Sequence, residues 1–180
     1  IVPVELYING RYRGSYNLTE KVGLLGNSVS LDDETCAAML ELDTYDDEPI
    51  WRYNAYYLST KIHDPDFDDG DSLLRITQSD IIDNWSKATY TLRYGESHAY
   101  TRLFDVDCLV SYLFANELCH NTELQHPKSV FLYSENVLDQ SDPASSGPDP
   151  TPWVFGPMWD CDWSFGYQMG SPAYFVNCIN

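Results

Sequence analysis

Asn9-Gly10 separates two patterned runs, "VELYI" before it and "RYRGSYNL" after it. Asn-Gly is the pair that most readily takes left-handed backbone at both central positions of a type I′ turn, whose twist matches that of the strands it joins. In the second run Tyr12, Gly14, Tyr16 and Leu18 recur at period two and share one face. An antiparallel hairpin is therefore the first commitment this chain makes. Its second strand is expected to run into "TEKV", residues 19–22.

The remaining elements are shorter in signal. "MLELD", residues 39–43, reads as a buried strand capped by acids, between the acidic loops "LDDE" and "YDDEP". Residues 51–62 are rich in aromatics and suit another strand, and residues 76–94 suit a helix. Val106, Leu109, Val110, Leu113, Phe114 and Leu118 recur at helical spacing, with Asp105 placed to cap. The spacing predicts a core helix ending near His120-Asn121. "NTELQHPKS" follows as a loop, "VFLY" (130–133) as a strand, a Pro- and Ser-rich surface loop next, and 153–158 as the returning partner strand. No internal repeat is present. The mixture is α+β.

Charge narrows the partners. The 180 residues, enough for one domain or a large piece of one, carry 10 Lys and Arg against 28 Asp and Glu, a net −18. Phosphate backbones require a cationic stripe that this balance does not supply, so nucleic acid is excluded as a partner, and acidic membrane surfaces are disfavoured. Divalent cations are the natural counter-charge. No apolar run approaches the roughly 20 residues of a membrane span. With no starting Met and no signal peptide, the opening "IVPVELYING" reads as mid-strand, so an excised or processed piece is expected.

Several weaker signals have plainer readings. The five cysteines include no CxxC pair and are expected to be buried free thiols. Cys108 and Cys119 share a helix face but lie about 16 Å apart, too far for a disulfide. The sequons at Asn17 and Asn84 matter only in a glycosylating pathway. Asp64, Asp66 and Asp68 have the first spacing of an EF-hand loop. The glycine then comes one position late, at Gly70, and Arg75 stands where glutamate should. A solvated acidic loop is the expectation. His126 before Pro127 reads as a turn residue, and the four histidines lack zinc spacing.

The segment "GPMWDCDWSFG", 156–166, sets two aspartates between two tryptophans. Taking a lone carboxylate out of water costs several kcal/mol. Either backbone amides and indole N–H groups hold Asp160 and Asp162, or a cation does. The predicted order places Asp160 at the end of one strand, beside the loop that starts the other. That loop carries Asn121, Glu123, His126, Lys128 and Ser129. An acid on a loop, a hairpin, then an acid before an aromatic and a glycine is the way protein kinases arrange base and metal ligand.

The blocks "VELYINGRYRGSYNLTEKV", "MLELD", "NELCHNTELQHPKSVFLY" and "FGPMWDCDWSFG" resemble, in order, the motifs of the CotH family, the spore-coat protein kinases and their bacterial surface relatives. The resemblance covers nearly the whole chain. It implies an atypical protein-kinase-like fold that binds ATP with Mg²⁺ or Mn²⁺ and phosphorylates protein serine or threonine. It implies one domain, with residues 1–22 a hairpin leading to the hinge and 23–180 the lower lobe, the upper lobe being largely missing. Glu20 and Lys21 would border the adenine. Asp160, helped by Asp162, would hold the metal, with Ser129 near the place of a metal-binding asparagine. Glu123 would stand for the catalytic aspartate.

Departures from the family pattern are local. Glu123 has one methylene more than aspartate, and errors near 1 Å can cost about 100-fold in rate. Cys161 replaces an aromatic between the two aspartates. Lys21, Lys61, Lys87 and Lys128 are the only lysines, and none has the strand context of a phosphate-binding lysine. The resemblance implies a surface or coat protein as substrate and a location at the cell surface or envelope, and specifies no oligomeric state. A degenerate relative serving as a surface binding module is the second reading. A nucleotide-sugar transferase using Asp-x-Asp is the third.

Overall fold

The computed structural model describes residues 1–24, 26–44, 52, 54–67, 74–125, 127–138, 150–161 and 164–165, with Glu123 and Gln125 described by their backbone alone. The hairpin forms as its turn dictates. Strands β1 (Val2–Ile8) and β2 (Arg11–Leu18) pair antiparallel around Asn9 and Gly10, with φ of 51° and 73°. A bulge between Leu6 and Tyr7 shifts the register. β2 stops at Leu18, so residues 19–22 leave the ladder instead of extending it. Val2 lies opposite Leu18 and Val4 opposite Tyr16, which makes one face apolar, yet both strands are largely exposed.

A second sheet forms the body. Its strands β3 (Ala38–Leu42), β4 (Thr60–Asp64), β5 (Val130–Ser134) and β6 (Val154–Phe155) lie in the order β4-β3-β5-β6, all antiparallel. The strand expected over 51–62 begins only at Thr60. Ahead of it Asn54 Oδ1 accepts from the Tyr56 and Leu58 amides and Nδ2 donates to Leu58 O. A local side-chain turn has taken the backbone groups that a ladder would use. The strand expected over 153–158 pairs only at Val154 and Phe155. Gly156 N–H still donates to Phe131 O at 2.9 Å, but Pro157 has no N–H to continue the ladder.

β3 is buried on both faces because alternate residues meet different cores. Ala38, Leu40 and Leu42, with Val130 and Leu132 of β5, join Ile81, Trp85 and Ala88 of helix α1 (Gln78–Tyr94). Ala37, Met39 and Phe131 face the other way, under Val22 and Leu24. α1 starts on a capping box between Thr77 and Asp80. The indoles of Trp85 and Trp153 meet edge-on at 5.6 Å. Trp153 Nε1 donates to Asn84 Oδ1 at 2.9 Å, and Asn84 Nδ2 donates to Val137 O at 2.8 Å, so this sequon asparagine is engaged in packing.

The acidic run at 64–68 differs from expectation at its first residue. Asp64 belongs to β4, not to a solvated loop, and its Oδ2 accepts from Leu24 N–H at 2.8 Å. Gly23 makes this possible: a Cβ there would lie 2.8 Å from the same oxygen. Asp66 is exposed and Asp68 lies outside the described residues.

Helix α2 (Val106–Cys119) takes its predicted cap, with Asp105 accepting from Cys108 N–H, and closes at His120. The predicted core face holds only in part, with Val106 and Leu109 half-buried. Tyr112 and Asn116 are its buried residues, whereas Val110, Leu113, Phe114 and Leu118 are exposed. The helix docks on β6 through the Tyr112 ring, 5.8 Å from that of Phe155, and this turns the other stripe outward. Of the four described cysteines, all free, Cys36 is buried as expected but Cys161 is exposed, since it sits in the turn after Asp160. The architecture is α+β. No described helix is long and apolar enough to cross a membrane.

Candidate functional site

Three predicted elements converge at the start of β5. Immediately before Val130 stands Ser129, and Asp160 arrives from β6 by way of Gly156 and Pro157. Both Ser129 and Asp160 have φ of 52°, the left-handed region that costs an ordinary L-residue about 1 kcal/mol. There Ser129 Oγ donates to Asp160 Oδ2 at 3.4 Å, and Lys128 Nζ lies 3.8 Å from the same oxygen. The side chains of Lys128 and Asp160 are about a quarter exposed, at 27% and 25%. Solvent screening keeps the stability contributed by such a pair small, below about 1 kcal/mol. Among the described residues the Asp160 carboxylate meets the Ser129 hydroxyl and the Lys128 ammonium.

The turn that follows is tied to the end of α2. Phe165 N–H donates to Cys119 O at 2.8 Å, and Ser164 N–H to Cys161 O at 3.0 Å. Asn121 Nδ2 donates to Asn116 Oδ1 at 2.9 Å, and Asn116, almost fully buried, donates to Tyr112 O. Burial pushes the Tyr112 phenol up to about 12, against a hydrogen bond from Asn116 that lowers it. Cys108 Sγ lies 3.3 Å from Phe155 O, and burial followed by the charge of Asp105 raises its thiol. Thr122–Gln125 form a 3-10 turn that carries the backbone of Glu123 between α2 and Lys128. That turn borders an open groove of about 470 Å³ lined by Leu113, Asn116, His120 and Leu124.

Just past Leu42, the partner of Val130 in the sheet, lies a buried ion pair. Lys61 of β4 places Nζ 3.2 Å from Asp43 Oδ2, both side chains nearly inaccessible. One step along the same face, His63 Nδ1 lies 3.8 Å from Glu41 Oε2. The ladder between β3 and β5 ends at Leu42 and Val130, but Thr44 N–H then donates to Pro127 O at 3.0 Å. The segment bearing Asp43, just past β3, is thereby clamped to the segment bearing Lys128 and Ser129. Lys61 is a lysine that a strand sets beside an acid. Sequence alone hid it because the pairing depends on the register of β3 with β4.

The predicted residues are only partly assembled. Ser129 and Asp160 meet. Glu20 and Lys21 are exposed on the segment leading from β2 to Val22, and among the described residues neither bonds to the Asp160 group. Asp162 and His126 lie outside the described residues. Trp159 does not form a dry wall; it is 39% exposed, because the chain leaves the sheet after Pro157. Sequence reasoning passed over Asn116 altogether. The signal for Asn116 was a polar residue four places after Tyr112, on the stripe that turned inward.

Among the described residues no three His, Cys, Asp or Glu are grouped to hold a metal. The donors in place are one carboxylate and one hydroxyl, with an ammonium on the same oxygen. Mg²⁺ is ordinarily held by one or two carboxylates together with substrate phosphates and water. The donor set therefore fits a cation shared with phosphate and does not make a self-sufficient cation cage.

No curated protein and no solved structure matches the chain. The family model described as CotH kinase protein matches residues 1–175, nearly the entire sequence. The chain belongs to the CotH family.

Proposed function

We propose that this chain is a kinase-like phosphotransferase domain, comprising the hinge and lower lobe, that moves the γ-phosphoryl group of ATP to serine or threonine of a protein. The family description supports the reaction class. The observation that carries the site is the meeting of Ser129, Lys128 and Asp160 at one carboxylate oxygen, beside the turn bearing Glu123. Asp160 and Ser129 would hold Mg²⁺ or Mn²⁺, with Asp162 assigned to the same ion on the family motif alone. When bound, the ion neutralises phosphate charge and orients the terminal phosphoryl group. Glu123 would orient or deprotonate the acceptor hydroxyl, which could approach along the groove at the end of α2. Glu20 and Lys21 would line the adenine edge. The substrate would be a surface or coat protein, with the chain at the cell surface or envelope.

The test is a thermal melt with ATP and Mn²⁺. At a hundredfold excess over Kd the midpoint should rise by roughly 5–10 °C, and Asp160→Asn should abolish the rise. Absence of any shift in the unaltered chain would falsify the proposal.

One observation favours a second reading, a catalytically degenerate surface-binding module. The hairpin presents Tyr7, Tyr12 and Tyr16 to solvent, each at least half exposed. Such rings suit adhesive contact. Absence of a shift would select this reading, whereas a shift with ATP and Mn²⁺ but no phosphate transfer would point to a pseudokinase and implicate Glu123.

A further inference from the structure

We infer that the groove at the end of α2 is a docking subsite for the phosphoacceptor segment. It takes one large aliphatic or aromatic side chain, three or four residues from the serine or threonine that is modified. The inference rests on the phosphotransferase reading and on the role given there to Glu123.

Three observations carry it. First, the groove and the assigned base share a wall. Thr122 and Leu124 line the groove, and Glu123 stands between them in the turn Thr122–Gln125. Consecutive Cα atoms are about 3.8 Å apart, so a segment lying in the groove passes beside the backbone that carries Glu123. Second, the groove is apolar where it is open. Leu113 and Phe114 line it and are 49% and 68% exposed, on a helix whose buried positions are Tyr112 and Asn116. Its volume of about 470 Å³ lies in the range of small-ligand clefts, which leaves room for a side chain with its flanking backbone. Third, charge selects the occupant. Glu117 is exposed at the groove, and the chain carries a net −18. That field repels an acidic segment, a second copy of this chain included, but is indifferent to an apolar anchor.

The spacing follows from the helix. Leu113 and His120 lie about two turns apart, roughly 10 Å, and the turn bearing Glu123 comes directly after. An extended peptide advances about 3.3 Å per residue. An anchor seated on Leu113 and Phe114 is therefore three or four residues from a hydroxyl presented to Glu123.

The experiment uses synthetic peptides of alanine, glycine and glutamine with one central serine. Leucine is moved through every position up to five residues on either side of it. Binding to the full chain is read by fluorescence anisotropy without nucleotide, and phosphate transfer by mass spectrometry with ATP and Mn²⁺. Leucine three or four residues to one side should tighten binding about tenfold, the scale set by burying such a side chain. Leucine elsewhere should bring no gain. Phe114→Ser and Leu113→Ser, both at exposed positions, should reduce the preferred peptide to the level of the leucine-free one. If serine peptides accept phosphate but leucine confers no positional advantage, or the advantage survives in both variants, the inference is overturned and the proposed function stands. A positional preference in binding with no transfer to any peptide sinks the proposed function and leaves the groove as a site for apolar-anchored segments. A chain that sediments as a dimer and becomes monomeric with Phe114→Ser would show that the groove joins two copies, and the inference falls.

Discussion

Tyr112 shows how a single residue links packing to pH. Its ring fills the space between α2 and Phe155, and the folded chain holds its phenol at about 12, against an ordinary value near 10. A group whose folded value is raised contributes stability that is complete below the unfolded value and disappears as pH climbs through the folded one. The window is therefore pH 10 to 12, and the loss across it is on the order of 3 kcal/mol. Thermal melts between pH 8 and 11.5 should show this decline. In Tyr112→Phe that part of the decline should be gone, and an unchanged alkaline profile would remove Tyr112 from the account.

Strand β4 and the residue just past β3 hold the most consequential side-chain pair among the elements. Burying Lys61 against Asp43 requires stripping water from both charges, so the pair adds little stability over an apolar pair of the same shape. Removing one partner is a different matter, because the other charge stays buried without its 3.2 Å counter-charge. Lys61→Met should cost about 3–5 kcal/mol in denaturant unfolding, and Asp43→Asn a comparable amount. The double variant Asp43→Leu/Lys61→Met should recover much of the loss. Additive losses would show that the two side chains are not coupled. At this scale the sequence was most legible where local chemistry decides. The Asn9-Gly10 turn, the Asp105 cap and the run at 130–133 all formed as expected. It was least legible where tertiary contacts choose between equivalents. α2 is apolar on two sides, and periodicity could not say which side would meet β6. Ser129 meeting Asp160 followed from element order, whereas Lys128 joining them depended on a left-handed residue that no pattern announces.

The whole molecule is a hairpin and a body of unequal cohesion. β1 and β2 pack on each other and hold no fully buried residue, whereas β3 and β5 are sealed on both faces. A lone two-stranded ribbon is marginal in water. Amide exchange followed by NMR should thus find the hairpin protons exchanging well before those of β3 and β5, which open only with the whole domain. Comparable protection in both would mean that the hairpin belongs to the cooperative unit. The cover over Met39 and Phe131 has its own weak point. Asp64 reaches past Gly23 to the amide of Leu24, through a gap that exists only because a hydrogen stands where other residues carry carbon. Sequence drift along the connecting segment is consequently free at its exposed positions and barred at this one, where the gain of a single methyl group would pry the covering segment off the sheet and admit water to the methionine beneath.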